Sequence, residues 1–119
     1  MGKQLSAHFN EDEFRCRCCR GLPAGGMSPE LIRRLEELRS RVGRPLVITS
    51  GYRCSAHNKA VGGSPKSQHM LGTAADVIAG SIGVDALAEA AESVGFGGMG
   101  RYHRQGFVHV DVRASRARW

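Results

Sequence analysis

Two short segments carry the side chains most able to do chemistry. In Ser67-Gln68-His69-Met70-Leu71-Gly72-Thr73-Ala74-Ala75-Asp76-Val77, one imidazole and one carboxylate, His69 and Asp76, are the only groups that ionise. In Phe107-Val108-His109-Val110-Asp111-Val112, a second imidazole and a second carboxylate alternate with valines. Side chains alternate faces along a strand, so Val108, Val110 and Val112 form one face while Phe107, His109 and Asp111 share the other. A histidine and an aspartate side by side on one face, backed by valines, are the pattern of a site built on a rigid sheet. The plainer alternative is a solvent-facing His–Asp ion pair on an edge strand, with His69 in a surface loop and Asp76 at a strand end. Taken together, two imidazoles and one carboxylate make a mixed nitrogen and oxygen donor set. Such a set suits zinc and leaves a fourth position open for water, as catalytic zinc sites do.

Positioning such a set requires strands and the elements that brace them. Asn10 and Glu13 fit a capping box that opens a short helical turn. Ser28-Pro29 is a strong helix start, and Leu31, Ile32, Leu35, Leu38 and Val42 follow at helical spacing until Gly43. The arginines and glutamates between them read as a solvated helix face. Residues 46–49, Leu-Val-Ile-Thr, form a buried strand candidate that runs into the turn Ser50-Gly51-Tyr52-Arg53. Ser55 is placed to cap a short helix reaching Val61. Residues 73–79 read as a second strand, and Val84, Leu87, Ala88, Ala91 and Val94 as a second amphipathic helix ended by Gly95. Residues 98–103 and 107–112 form a hairpin around Arg104-Gln105-Gly106. This order predicts an α+β fold: a single small domain over residues 1–119 with a mainly antiparallel sheet flanked by helices. Residues 113–119 read as a basic tail.

The chain has 119 residues, 41% hydrophobic and 24% charged, which is ordinary for a soluble domain. Its formal net charge of +6 suits an anionic partner such as nucleic acid, a membrane surface or an acidic polymer like a cell wall. Nucleic acid is the least favoured, because aromatics are only 6% and no recognised motif accompanies the charge. No apolar run approaches the ~20 residues of a membrane span. The four cysteines, Cys16, Cys18, Cys19 and Cys54, lack the paired CxxC spacing of common zinc modules. They read as free thiols, or as one disulfide between the cluster and Cys54.

The spaced motifs resemble those of the peptidoglycan-directed zinc peptidases of the M15 type, close to the D-alanyl-D-alanine carboxypeptidases and their small phage-borne members. Ser50-Gly51-Tyr52-Arg53 with His57-Asn58 and Val61-Gly62-Gly63 is similar to the arginine-bearing segment of that family. Ser67-x-His69-x-x-Gly72-x-Ala74-x-Asp76 is similar to its first metal motif, and Phe107-Val108-His109-Val110-Asp111 to its closing strand. The resemblance spans residues 8–113 and implies a hedgehog/D-Ala-D-Ala-peptidase-like fold. It implies zinc ligands His69, Asp76 and His109, with His69 on a loop that swings its ring toward the metal. It also implies that Arg53 holds a substrate carboxylate or a developing oxyanion. Asp111 then orients a ligand or pairs with a nearby cation.

One departure concerns proton transfer. Many family members carry an acidic general base three positions before the last histidine ligand, where this chain has Gly106. His103, in the hairpin, is the first substitute and Asp111 the second. The expected activity is zinc-dependent hydrolysis of a peptide bond in peptidoglycan stem peptides or cross-bridges, by a monomer. The alternative is a non-catalytic, zinc-bearing cell-wall-binding module of a phage or prophage particle. Residues 1–14 contain no apolar signal core, so the expectation is synthesis in the cytoplasm and action on the wall after release.

Overall fold

The structure, a computed structural model, describes residues 2–119. The helix predicted after Ser28 is α1, Pro29–Val42. The Ser28 side chain accepts from the Leu31 N–H at 3.3 Å, and Gly43 closes the helix in the left-handed region at φ 69°. Leu31, Ile32, Leu35 and Leu38 are buried, while Arg33 and Arg34 pair with Glu30 on the outer face. Strand β1 is Ile48–Ser50, helix α2 is Ser55–Ala60 and strand β2 is Ala74–Ile78. Helix α3 is Val84–Val94, and the hairpin strands are β3, Gly98–Tyr102, and β4, Phe107–Asp111. A last strand, β5, is Ala117–Arg118.

The sheet order is β1-β2-β4-β3-β5, antiparallel except for the parallel β3–β5 pair. Val108 and Val110 of β4, Ala75 and Val77 of β2 and Met99 of β3 point into one apolar cluster. Leu87, Ala88 and Ala91 of α3 and the leucines of α1 complete it. Burying a side chain of this size is worth about 1.5–3 kcal/mol. This core therefore fixes which face of each strand looks outward. The outward faces stack in cross-strand rows: Ala74, Asp111 and Gly98; then Asp76, His109 and Gly100; then Ile78, Phe107 and Tyr102.

Three sequence expectations change in detail. β1 runs to Ser50 rather than stopping at Thr49, because β2 pairs with it through Ser50, which lies opposite Asp76. The cap of α2 is the Cys54 sulfur, which accepts from the His57 N–H at 3.4 Å, and Ser55 is the first helical residue. Residues 113–119 are not a free basic tail. Ala117 N–H bonds the Gly97 carbonyl at 2.9 Å, and Trp119 N–H bonds Met99 at 3.1 Å. The Arg118 guanidinium meets Glu92 of α3 at 2.8 Å and the carbonyls of Gly97 and Phe96 at 2.7 and 3.0 Å.

Arg118 and Arg116 hold the Glu92 carboxyl at about 2, below its ordinary value of 4.5. A depressed folded-state pKa adds stability above the unfolded value that is lost as pH falls through the folded one. Glu92→Gln should therefore speed amide exchange at Ala117 and Trp119 at neutral pH, with the difference from the parent vanishing between pH ~4.5 and ~2. Equal exchange at pH 7 would show that backbone pairing alone fastens β5.

Candidate metal centre

The centre is assembled from two strands and one turn. The β2–β4 register sets Asp76 directly opposite His109. Their side chains meet at 3.0 Å, His109 Nδ1 to Asp76 Oδ1. His69 comes from a 3₁₀ turn, Gln68–Leu71, started by the Ser67 hydroxyl, which accepts the His69 N–H at 3.1 Å. Gly72, at φ 74°, ends that turn and lets the chain enter β2. The ring of His69 is buried and fixed, not swinging on a loop as expected. Its Nδ1 lies 2.7 Å from the Gly51 carbonyl.

The hydrogen-bond partners determine where the protons sit. A carbonyl only accepts, so His69 Nδ1 carries the hydrogen and Nε2 is bare. That buried Nε2 has no hydrogen-bond partner, although Asp76 Oδ1 is only 3.2 Å away, because neither atom has a proton to give. On His109, Nε2 lies 2.7 Å from Asp111 Oδ2. That carboxylate also receives the Arg113 guanidinium at 2.9 and 2.7 Å and the Arg113 backbone N–H at 3.1 Å. Asp111 is saturated as an acceptor, so Nε2 is the protonated nitrogen and Nδ1 faces Asp76. Three acceptor atoms, His69 Nε2, Asp76 Oδ1 and His109 Nδ1, thus converge within 4.8 Å of one another. A buried imidazole nitrogen without a partner, beside a carboxylate oxygen and a second imidazole nitrogen, fits a cation, and the N₂O composition fits zinc.

Burial and the close neighbours pull the ionisation of these groups in opposite directions. Burial alone would raise the Asp76 pKa, but the His109 and His69 rings outweigh it and hold the carboxyl at about 2. Burial of Asp111 is likewise outweighed by His109 and Arg113, and its carboxyl lies well below the usual range. For His109, burial disfavours the charged ring, yet Asp111 and Asp76 prevail and raise its pKa.

Around the donors lies an open cleft of about 650 Å³. Arg53 lines it, with Nη2 3.4 Å from Asp76 Oδ2, Nε 3.3 Å from the Ser50 hydroxyl and Nη1 3.3 Å from Asn58 Oδ1. Lys66 and Arg113 are its other cations. One wall is aromatic and was not anticipated. Trp119 lies against the His109 ring at 5.1 Å between centroids, bonds the Tyr102 hydroxyl at 2.7 Å and sits over Gly100. A Cβ at Gly100 would strike the indole, and one at Gly98 would strike the Asp111 carboxylate. The alternation Gly98-x-Gly100 beside a hairpin was the available signal for both.

The structure thus brings Arg53, His69, Asp76, His109 and Asp111 together and leaves His103 out. His103 was expected to overhang the cleft as proton acceptor. Instead its exposed ring turns to Asp85 of α3 at 2.8 Å, and α3 packs on the valine face of the sheet, opposite His109.

The Peptidase M15 family model matches residues 7–111. The chain is similar to the zinc D-Ala-D-Ala carboxypeptidase of Streptomyces albus G, with 44% identity over 64 residues, 53% of this chain and 25% of that protein. It is also similar to the peptidoglycan L,D-endopeptidase MepK of Escherichia coli (strain K12), with 33% identity over 97 residues, 76% of this chain and 53% of that one. The chain spans about half the length, or less, of these curated relatives.

Metal measurements test the donor assignment. After loading with zinc, His69→Ala and His109→Ala should each lose the ion from this site, while Asp111→Asn should bind it roughly ten- to a hundredfold more weakly. Full occupancy of this site in both histidine variants would refute the assignment.

Proposed function

The chain belongs to the peptidase M15 family, and from that premise we propose that it hydrolyses a peptide bond in peptidoglycan stem peptides or cross-bridges. His69, Asp76 and His109 would hold the zinc ion. The observation that carries this reading is the convergence of the buried, unpartnered His69 Nε2 with the Asp76 carboxylate and the His109 ring in a cleft lined by Arg53, Lys66 and Arg113. When bound, zinc supplies Lewis acidity and a water activated near neutral pH.

The remaining roles fall to the chain itself. Arg53 offers a planar fork of donors to a substrate carboxylate or to an oxygen gaining charge. Ser50 and Asn58 hold that fork beside Asp76, so little reorganisation is needed when substrate arrives. Asp111 keeps the His109 hydrogen on Nε2, and Arg113 keeps Asp111 charged. Trp119 and Tyr102 exclude water from one side of His109. The net charge of +6 suits retention on an anionic wall.

One observation favours a second reading, binding to the wall without cleavage, as in a phage or prophage particle. Among the described residues lining the cleft, the only carboxylate and imidazoles are the three donors themselves. The two readings separate on purified sacculi. Release of D-Ala or of stem fragments supports hydrolysis, and retention on the sacculi without release supports binding alone.

Arg53→Ala should keep its zinc and its fold but lose about 10²–10³ in turnover, as removal of an oxyanion donor does. An unfolded variant, or one with full activity, would contradict the role. His103→Ala should hydrolyse at the parent rate. A loss of about 10²–10⁴, the usual worth of a general base, would restore the hairpin histidine as proton acceptor.

A further inference from the structure

A second convergence of metal-binding side chains lies where the N-terminal segment meets the Arg53 loop. The sulfurs of Cys16, Cys19 and Cys54 lie within 4.8 Å of one another, and Cys16 and Cys54 are 3.6 Å apart. All four cysteines are free. A disulfide needs about 2.0 Å between sulfurs. Tetrahedral zinc, with Zn–S near 2.3 Å, sets sulfurs about 3.8 Å apart. The observed separation matches the second geometry.

The backbone around the sulfurs is arranged for negative charge. Cys54 N–H points to the Cys16 sulfur, His57 N–H to the Cys54 sulfur and Gly21 N–H to the Cys19 sulfur, each at 3.4 Å. Amide donors favour thiolate over thiol. The loop that presents Cys16 and Cys19 is itself tightly closed. Cys16 N–H bonds the Gly21 carbonyl at 3.0 Å, Arg20 N–H bonds Cys16 at 2.9 Å, and Arg20 takes φ 61°. Arg17, the nearest cation in sequence, does not serve as counterion, because its guanidinium is turned to the carbonyls of Ile48 and Thr49.

We propose that Cys16, Cys19 and Cys54 hold a structural zinc ion separate from the His69, Asp76 and His109 centre. The cysteine spacing lacks the paired CxxC of common zinc modules, but the loop turns Cys19 toward Cys16 and Cys54. The position explains what the ion would do. Cys54 follows Arg53 directly, and its sulfur caps the helix that carries Asn58, a partner of Arg53. Within the same loop, Tyr52 N–H bonds Phe14, Arg53 N–H bonds His69, and Gly51 accepts the His69 ring. A thiolate-bound ion would fasten this loop to the N-terminal segment and so hold two residues of the cleft. The proposal rests on sulfur geometry and is independent of hydrolysis.

The test is metal stoichiometry of the full chain, purified with reductant and zinc. The parent should carry two zinc equivalents, and Cys19→Ser and His109→Ala one each. With cobalt in place of zinc, thiolate-to-cobalt charge-transfer absorption should persist in His109→Ala and disappear in Cys19→Ser. Cys19 is exposed, so its substitution spares the core. One equivalent in the folded parent, a cobalt spectrum without the thiolate band, or an intact mass lower by two hydrogens from a Cys16–Cys54 disulfide would each overturn the proposal.

Discussion

Everything at the metal centre depends on one strand register. β2 and β4 pair so that Asp76 faces His109, and the buried valines on the opposite face hold that pairing in place. A slip of one residue would send both polar groups into the core and expose the valines. The cost of burying an unpaired carboxylate is several kcal/mol, far more than the slip could recover. The apolar face therefore secures the polar one. The same register puts Gly98 and Gly100 beside Asp111 and His109, the two places where a side chain would collide with the site.

Around that row, proton positions are set one bond at a time. Gly51 assigns the hydrogen of His69 to Nδ1, and Asp111 assigns that of His109 to Nε2. Arg113 keeps Asp111 ionised and lies over Trp119, 5.2 Å from its ring centre, so the indole that walls the cleft also rests on the cation that supports the ligand. The polarity of the centre is thus specified by groups that never point into it.

Much of this was legible in the chain. Val108, Val110 and Val112 alternating with Phe107, His109 and Asp111 gave both the strand and its functional face, because period-two alternation is a local property. Ser28-Pro29 and Gly43 marked α1 for the same reason. The features that escaped notice are non-local. β5 pairs through two residues, and nothing in Ala117–Arg118 announces a strand until Met99 and Gly97 are seen beside it. Gly51 acts through its carbonyl, which no side-chain pattern encodes. His103 is near the ligand strand along the hairpin, yet its ring reaches Asp85 of α3 and not the cleft. Cys54 and Cys16 are 38 residues apart, and the meeting of the cluster with Cys54, offered from the sequence as one alternative, follows from Tyr52 docking on Phe14.

The donors of the His–Asp–His centre come from segments that meet only when the sheet is complete, Asp76 and His109 being 33 residues apart. An unfolded chain presents them scattered, so an ion bound there selects the native state by mass action. At about one hundred times its dissociation constant, such an ion adds about 2.7 kcal/mol to folding. That is a large share of the roughly 5–15 kcal/mol by which domains usually persist. Thermal stability would then become a readout of free metal in the surroundings, and chelation would loosen the whole domain and not the cleft alone.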